Sequence, residues 1–505
     1  NAVDAAVAAA FASFVAEIGV VHLGGSGIAQ LYDPRTGTAV VYDFFSNMPG
    51  IGREAPPAVM DFAEVMIDFG ATTQSFHLGR ASVAVPGNVF GLCRLAAAHG
   101  RLPLRQLLAP AIRLARDGVA IHPFQADTCA LLAPLYLHTA GMRRIFERDG
   151  RMIRAGERLV IPHLAQTLEA LAAEGEALLR DGRLAQAVLA DQAARGGLLT
   201  AADLAGYDVR RLAPIRLPYR AYEILLPPPS STGGVLTAFS LQLLAGLELP
   251  AAHGSAAHLQ LFYEVMSATA RARGQWEVWA DALPGEDALA RFLDPAFVGG
   301  YAAEVRAALA GKRPLAAAPE PVGPGNTSHL SVIDGDGLAV GLTTTAGESA
   351  GYVVDGTGFI PNNICGEADL HPAGFHTRPA GRRIPTMMTP VIVLRDGQTR
   401  LVLGSGGSER IRSAILQVLS NLLDYGMTLE TAVNVARAHV ENGVLQLEAG
   451  YDPAAAAGLE AWGYRVNRWT TRSIYFGGAH SVSRTVDGRL VAAGDNRRGG
   501  ATEGA

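Results

Sequence analysis

Residues 315–345 read LAAAPEPVGPGNTSHLSVIDGDGLAVGLTTT, and the change of texture inside this stretch decides how the rest is read. The first twelve residues, 315–326, hold three prolines and two glycines. Such a segment cannot be regular structure and predicts an exposed connector. After it the pattern turns to strands: 329–334 and 338–345 flank Gly335-Asp336-Gly337 and predict a hairpin.

The same pattern recurs downstream. Segments 390–394 and 401–403 flank Asp396-Gly397, and 481–486 and 490–493 flank Asp487-Gly488. Between them Ile411, Ile415, Val418, Leu419 and Leu422 share one helical face, with Gly426 as a stop. Thr428 then caps a second helix expected to run to about His439. Upstream, residues 1 to about 315 carry helical spacing at 104–118, 162–173 and 255–273. Strand-like segments such as 28–32 with 39–42, joined by Asp33-Pro34-Arg35, interrupt them. The expected class is α+β, with two antiparallel sheets stacked between helical layers.

Bulk properties exclude several functions. Of 505 residues 49 % are hydrophobic and 18 % charged, enough to fill a large core. A net charge of −5 and the lack of long basic runs give no footprint for nucleic acid or an anionic membrane surface. The apolar run 5–16 is too short to cross a bilayer. Cys93, Cys129 and Cys365 are odd in number and far apart, which predicts buried free thiols rather than disulfides or a zinc site. Asn1 leads straight into an Ala-rich helix with no strand or cap before it, the expectation being an incomplete N-terminus. Localisation therefore stays open between periplasmic or secreted and cytoplasmic.

Several motifs have ordinary explanations. Residues 347–351 (GESAG) match G-x-S-x-G, but no helical face follows Ser349, as a nucleophile elbow requires. Gly24-Gly25-Ser26-Gly27 fits neither a dinucleotide fingerprint nor a P-loop and reads as a turn entering a strand. His371 and His376 straddle Pro372 and Gly374 and do not share a helix face, which argues against metal binding. No cofactor is called for.

Asn326-Thr327-Ser328-His329 is different. Thr327 sits where a proline-broken tail meets a strand. Scission of the bond before it would set a new α-amine beside its own hydroxyl. Such an amine, with a pKa near 7.7–8.0, can act as a general base for an N-terminal threonine nucleophile.

Over nearly its whole length the chain resembles the γ-glutamyltranspeptidase family. Residues 1–10 (NAVDAAVAAA), 85–91 (VPGNVFG), 110–118 (PAIRLARDG), 197–207 (GLLTAADLAGY) and 227–234 (PPPSSTGG) occur in the family's order. So do 327–332 (TSHLSV), 336–345 (DGLAVGLTTT), Asn362-Asn363, 404–411 (GSGGSERI) and 492–498 (AAGDNRR). The resemblance implies a four-layer αββα sandwich of the N-terminal-nucleophile hydrolases. It implies self-cleavage between Asn326 and Thr327 into a large-subunit region, 1–326, and a small-subunit region, 327–505, forming one intertwined domain. Thr327 takes the nucleophile position, Thr345 the hydroxyl that hydrogen-bonds it, and the amides of Gly407 and Ser408 the oxyanion hole.

The pocket departs from the family. Where its carboxylate-binding arginine follows an Asp-Phe pair, Asp43-Phe44 is followed here by Phe45. The family's asparagine two residues past Thr345 is Gly347, and the glutamine after the paired asparagines is Ile364. The aspartate three further on is Glu367, and the serine pair is Thr386 and Met387. Phe45, Asn363, Glu367, Thr386 and Met387 are thus the expected substrate contacts. Arg378, Arg382 or Arg383 stand either as substitutes for the missing arginine or as surface charges. The resemblance implies hydrolysis or transfer of γ-glutamyl groups from glutathione-like amides to water or an amine. The alternatives are a cephalosporin-acylase-like enzyme for a more apolar acyl group and a scaffold that never processes.

Overall fold

The computed structural model describes residues 1–68, 73–316 and 327–504, and the predicted hairpins organise it. Two compact units result, one of Asn1–Leu212 with Gly323–Thr386 and one of Ala213–Val322 with Met387–Ala505. Each unit takes strands from both sides of the 326/327 junction.

In the first unit a five-stranded sheet runs in the order Ser328–Ile333, Ala339–Thr345, Ser26–Asp33, Thr38–Phe44, Arg210–Leu212, every neighbour antiparallel. Its second strand, Ala339–Thr345, is buried at every position, as a strand covered on both faces must be. The helix Ala2–Ala16 packs on this strand and its neighbour, and on the helix Leu104–Asp117. Ala and Val dominate its buried positions, so neighbours can approach from all sides. Contrary to expectation the helix is capped: the Asn1 side chain accepts from Asp4 N at 3.0 Å, and Asp4 returns the bond in a capping box.

The second unit holds a six-stranded antiparallel sheet: Ile215–Tyr219, Tyr222–Leu226, Val391–Arg395, Gln398–Gly406, Gly478–Arg484, Leu490–Ala493. Helices Thr232–Ala245 and Arg410–Leu423 pack on it and on each other. Ile411, Ile415, Val418 and Leu419 are buried there, and Gly426 ends the turn that follows at φ +63°. Thr428 caps the next helix as predicted, but that helix stops at Asn434 rather than near His439. Residues Ala438–Glu441 pair instead with Val444–Leu447, and this tertiary pairing overrides local helix propensity.

The three cysteines are free; Cys129 and Cys365 are buried and Cys93 only partly so. No helix among the described residues is long and apolar enough to cross a membrane. Of the connector, only Leu315 and Ala316 are described; Asn326 lies outside the described residues.

Candidate active site

Thr327 is buried and immediately precedes the strand Ser328–Ile333. Ser328 lies opposite Thr344 in the antiparallel pairing, so the register continued by one residue sets Thr327 opposite Thr345. On its other side Thr345 is paired with Ser26. Thr345 Oγ1 accepts a 3.1 Å hydrogen bond from Gly347 N, which ties this hydroxyl to the turn that follows the strand.

The residues after Thr327 are held firmly. Ser328 Oγ donates to Glu17 Oε2 at 2.8 Å. The imidazole of His329 lies 2.8 Å from Thr343 Oγ1 through Nδ1 and 2.9 Å from Ser331 Oγ through Nε2. Both ring nitrogens are engaged within the hairpin, which makes His329 a brace rather than a base. Only its cross-strand partner gives this away.

The turn at 347–349 is shaped by Asn363. Its Oδ1 accepts from Glu348 N at 2.8 Å and Ser349 N at 3.2 Å, while its Nδ2 donates to His77 O at 3.4 Å. Gly347 adopts φ +66°, and a Cβ there would lie 2.2 Å from Asn363 Oδ1 and 2.4 Å from Glu367 Oε1. The glutamate carboxyl fills the space a side chain at 347 would need. Glu348 and Glu367 are both buried. Burial first, and then the negative charges of Glu348 and Asp369, hold the Glu367 carboxyl well above the usual range. Glu348 was not among the residues singled out from sequence. Its signal is an acid inside a Gly-rich segment that directly follows a fully buried strand.

Ser349 is fully buried at φ +121°, its Oγ accepting from Gly351 N at 3.1 Å, and no helix follows it. That geometry has no nucleophile elbow.

Phe45 is fully buried. Its N donates to Asp43 Oδ1 at 2.9 Å, and its carbonyl accepts from Tyr207 Oη at 2.7 Å and from Arg383 Nη1. Arg383 also donates to Tyr207 Oη at 2.8 Å and Asp208 O at 2.6 Å, and its Nε stands 3.8 Å from Asp43 Oδ2. Arg383 is therefore neither a surface charge nor an open carboxylate clamp. Its guanidinium is spent on the strand end that carries Phe45.

His371 Nε2 faces Ile364 O and His376 Nε2 faces Ala81 O, so the two rings look toward different carbonyls. Thr386 is buried in the first unit, whereas Met387 packs in the apolar core of the second.

Gly407 and Ser408 belong to the second unit, between the strand Gln398–Gly406 and the helix Arg410–Leu423. Both have positive φ, +125° and +49°, and their carbonyls accept from Arg410 N and Ile411 N at 3.0 Å. Glu409 beside them is buried between Arg273 at 2.6 Å and Arg412 at 3.3 Å. Burial pushes its carboxyl up, but the two guanidiniums outweigh this and hold it below the usual value. The turn is thus pinned at a helix start, where amides orient toward negative charge.

The whole chain, residues 1–505, matches the family described as Gamma-glutamyltranspeptidase. It is 33 % identical over 503 residues to the Acylase ACY 1 proenzyme of Pseudomonas sp. (strain V22), covering 98 % of this chain and 87 % of that one. To the Glutathione hydrolase proenzyme of Escherichia coli (strain K12) it is 29 % identical over 523 residues, covering 98 % and 86 %. The fold is similar to that of the cephalosporin acylase from Bacillus halodurans, with a TM-score of 0.83 at 23 % identity, covering 100 % of this chain and 92 % of that chain.

Proposed function

This chain belongs to the gamma-glutamyltranspeptidase family, and from that premise we propose that it is a self-processing threonine amidase whose nucleophile is Thr327. The observation that carries the reading is the buried Thr327 at the head of a strand, in register with Thr345 and directly after the connector. In processing, the Thr327 hydroxyl attacks the Asn326 carbonyl and the chain shifts from nitrogen to oxygen. Water then cleaves the ester, leaving a carboxylate on Asn326 and a free amine on Thr327. In turnover that amine takes the hydroxyl proton while Oγ attacks the substrate amide. The amine leaves with a proton, and water or an acceptor amine resolves the acyl-enzyme.

Thr345 is the proposed partner of the nucleophile hydroxyl, and the amides of Gly407 and Ser408 the proposed oxyanion donors. Both sheets are antiparallel and packed with helices, which supports placing the chain in the four-layer αββα class. The proposed substrates are γ-glutamyl amides of the glutathione type, with Glu367 and Thr386 as polar contacts. A second reading, an acylase for a less polar acyl group, is favoured by Phe45 and by the commitment of Arg383 to backbone.

A denaturing gel with N-terminal sequencing of the smaller fragment tests the reading. Two fragments, the smaller beginning at Thr327, are expected. Thr327→Ala should give one uncut chain and lower kcat/KM by about 10⁴-fold or more. A fully active enzyme with residue 327 still inside an intact chain would end the proposal.

A further inference from the structure

The helix Ala2–Ala16 is tied to the strand Ser328–Ile333 near both ends. At the helix start Ala2 N donates to Asp334 Oδ2 at 3.1 Å, one residue past the strand. At the helix end Glu17, the C-cap residue, accepts from Ser328 Oγ at 2.8 Å. The spans match, since the 15 residues of the helix rise about 22 Å and the steps from Ser328 to Asp334 extend about 20 Å. Glu17 is anchored through its backbone as well. Its N donates to Ser13 O at 2.7 Å, and its carbonyl accepts from Val20 N at 2.8 Å and Val21 N at 3.0 Å. The bond to Ser328 is sheltered: burial pushes the Glu17 carboxyl up, and the Ser328 hydroxyl counters part of that rise.

Successive side chains of a strand point to opposite faces. Leu330 and Val332 pack against the apolar core that includes the helix, which puts Ser328 on that face. Thr327 falls on the other face with His329 and Ser331, whose side chains meet at 2.9 Å. Glu17 therefore grips, from beneath, the residue that joins Thr327 to its strand. The grip matters most once the bond before Thr327 is cut. Thr327 is then a chain end, covalently joined to the protein through Ser328 alone, and its aim depends on how firmly Ser328 is fixed. A loose end samples many backbone poses, of which only a fraction sets Oγ for attack.

We propose that Glu17 is a positioning residue for the nucleophile: through Ser328 it fixes the strand end on which Thr327 stands, without itself touching substrate. The helix Ala2–Ala16 acts as a splint along the strand, and Glu17–Ser328 is its tie at the reacting end. This rests on the Thr327 reading, because it requires residue 327 to become the free chain end that attacks.

The test is a double-mutant cycle read as kcat and KM per cut chain, well below the Tm of each variant. The substrate is whichever of γ-glutamyl and glutaryl p-nitroanilide the unaltered enzyme hydrolyses faster. Glu17→Ala and Ser328→Ala should each lower kcat about tenfold, the factor for freeing one residue's backbone, with KM changed less than about twofold. The double variant should be no slower than either alone, because both substitutions remove the same bond. Glu17→Gln keeps an acceptor oxygen for Ser328 and should regain most of the loss. Where a variant cuts too slowly to supply mature enzyme, its self-cleavage rate constant stands in for kcat in the same cycle. Losses under about threefold overturn the inference. So do losses that multiply in the double variant, a raised KM with kcat intact, or a Glu17→Gln variant as slow as Glu17→Ala. A change confined to Tm assigns the pair to the fold alone and also overturns it. If the unaltered chain stays uncut and hydrolyses neither anilide, the Thr327 reading itself fails. A cut, active enzyme indifferent to both substitutions sinks the inference alone.

Discussion

Arg383 donates a hydrogen bond to the backbone carbonyl of Phe45, the residue standing where relatives are expected to carry a carboxylate-binding arginine. The charge has not simply moved across the pocket. It now braces the end of the strand Thr38–Phe44, with Tyr207 stacked at 5.0 Å and Asp43 at 3.8 Å. A buried guanidinium with this many partners is structural. Arg383→Leu removes the cation from a buried acid and a donor from Phe45 O. The loss expected is about 3 kcal/mol or more of stability. Thermal unfolding checks it: an unchanged Tm would mean that the guanidinium is dispensable to the fold and open to a ligand.

Thr345→Val keeps shape and strand propensity and deletes one hydroxyl. Gly347 N then loses its acceptor, and Thr327 loses the proposed partner of its nucleophile. Because that partner acts on the reacting oxygen, kcat should fall by about 100-fold with KM little changed, and self-cleavage should slow. Steady-state kinetics with a processing time course separate this from a binding role, which would raise KM and leave kcat and cleavage intact.

The proposed base predicts a pH profile. An α-amine near its ordinary pKa of about 7.7–8.0 must be neutral to accept the Thr327 proton. Activity should therefore drop about tenfold per pH unit on the acid side of that value. A profile flat from pH 6 to 9 in single-turnover acylation would require another base.

The elements that could be read from sequence are those with local causes. Asp336-Gly337, Asp396-Gly397 and Asp487-Gly488 mark hairpins because the turn itself demands such residues, and all three form. Thr428 caps its helix through a bond to Thr431 N within the same turn. What stayed hidden depends on distant partners. The helix after Thr428 ends early because a strand farther along claims Ala438–Glu441, and His439 turns to Ser413 at 2.7 Å. From sequence Arg383 stood among three arginines as either a pocket substitute or a surface charge, because its partners Tyr207 and Asp208 are remote in the chain. Within the candidate site, Thr327 and Thr345 stood out through resemblance and pattern. Glu348 did not, because only the fold brings it to Glu367.

Gly347 tests how tightly that acid site is built. With φ at +66°, any Cβ is strained, and here it would also meet two oxygens at 2.2 and 2.4 Å. Gly347→Ala should destabilise by about 2 kcal/mol or more, read as a lowered Tm. An unchanged Tm would show that the turn and the two buried acids can move to admit a side chain.

Glu264 offers a stability test in the second unit. It is fully buried on the helix Ala256–Ala282, accepting from Tyr464 Oη at 2.7 Å and lying 3.4 Å from Leu315 N, at the head of the connector. Burial pushes its carboxyl up to about 7, against the lowering effects of Tyr464, Leu315 and Arg271. The folded protein thus holds this proton more tightly than the unfolded chain, where the ordinary value is 4.5. The resulting stability is fully present below pH 4.5 and is lost as pH rises through about 7. The span corresponds to about 3 kcal/mol as an upper bound. Glu264→Gln keeps an acceptor for Tyr464 without the ionisable proton. Its Tm should match that of the unaltered protein near pH 5 and exceed it near pH 8, so the difference between the two proteins must grow with pH. A difference that stays constant across that range would show that Glu264 does not ionise in the folded state.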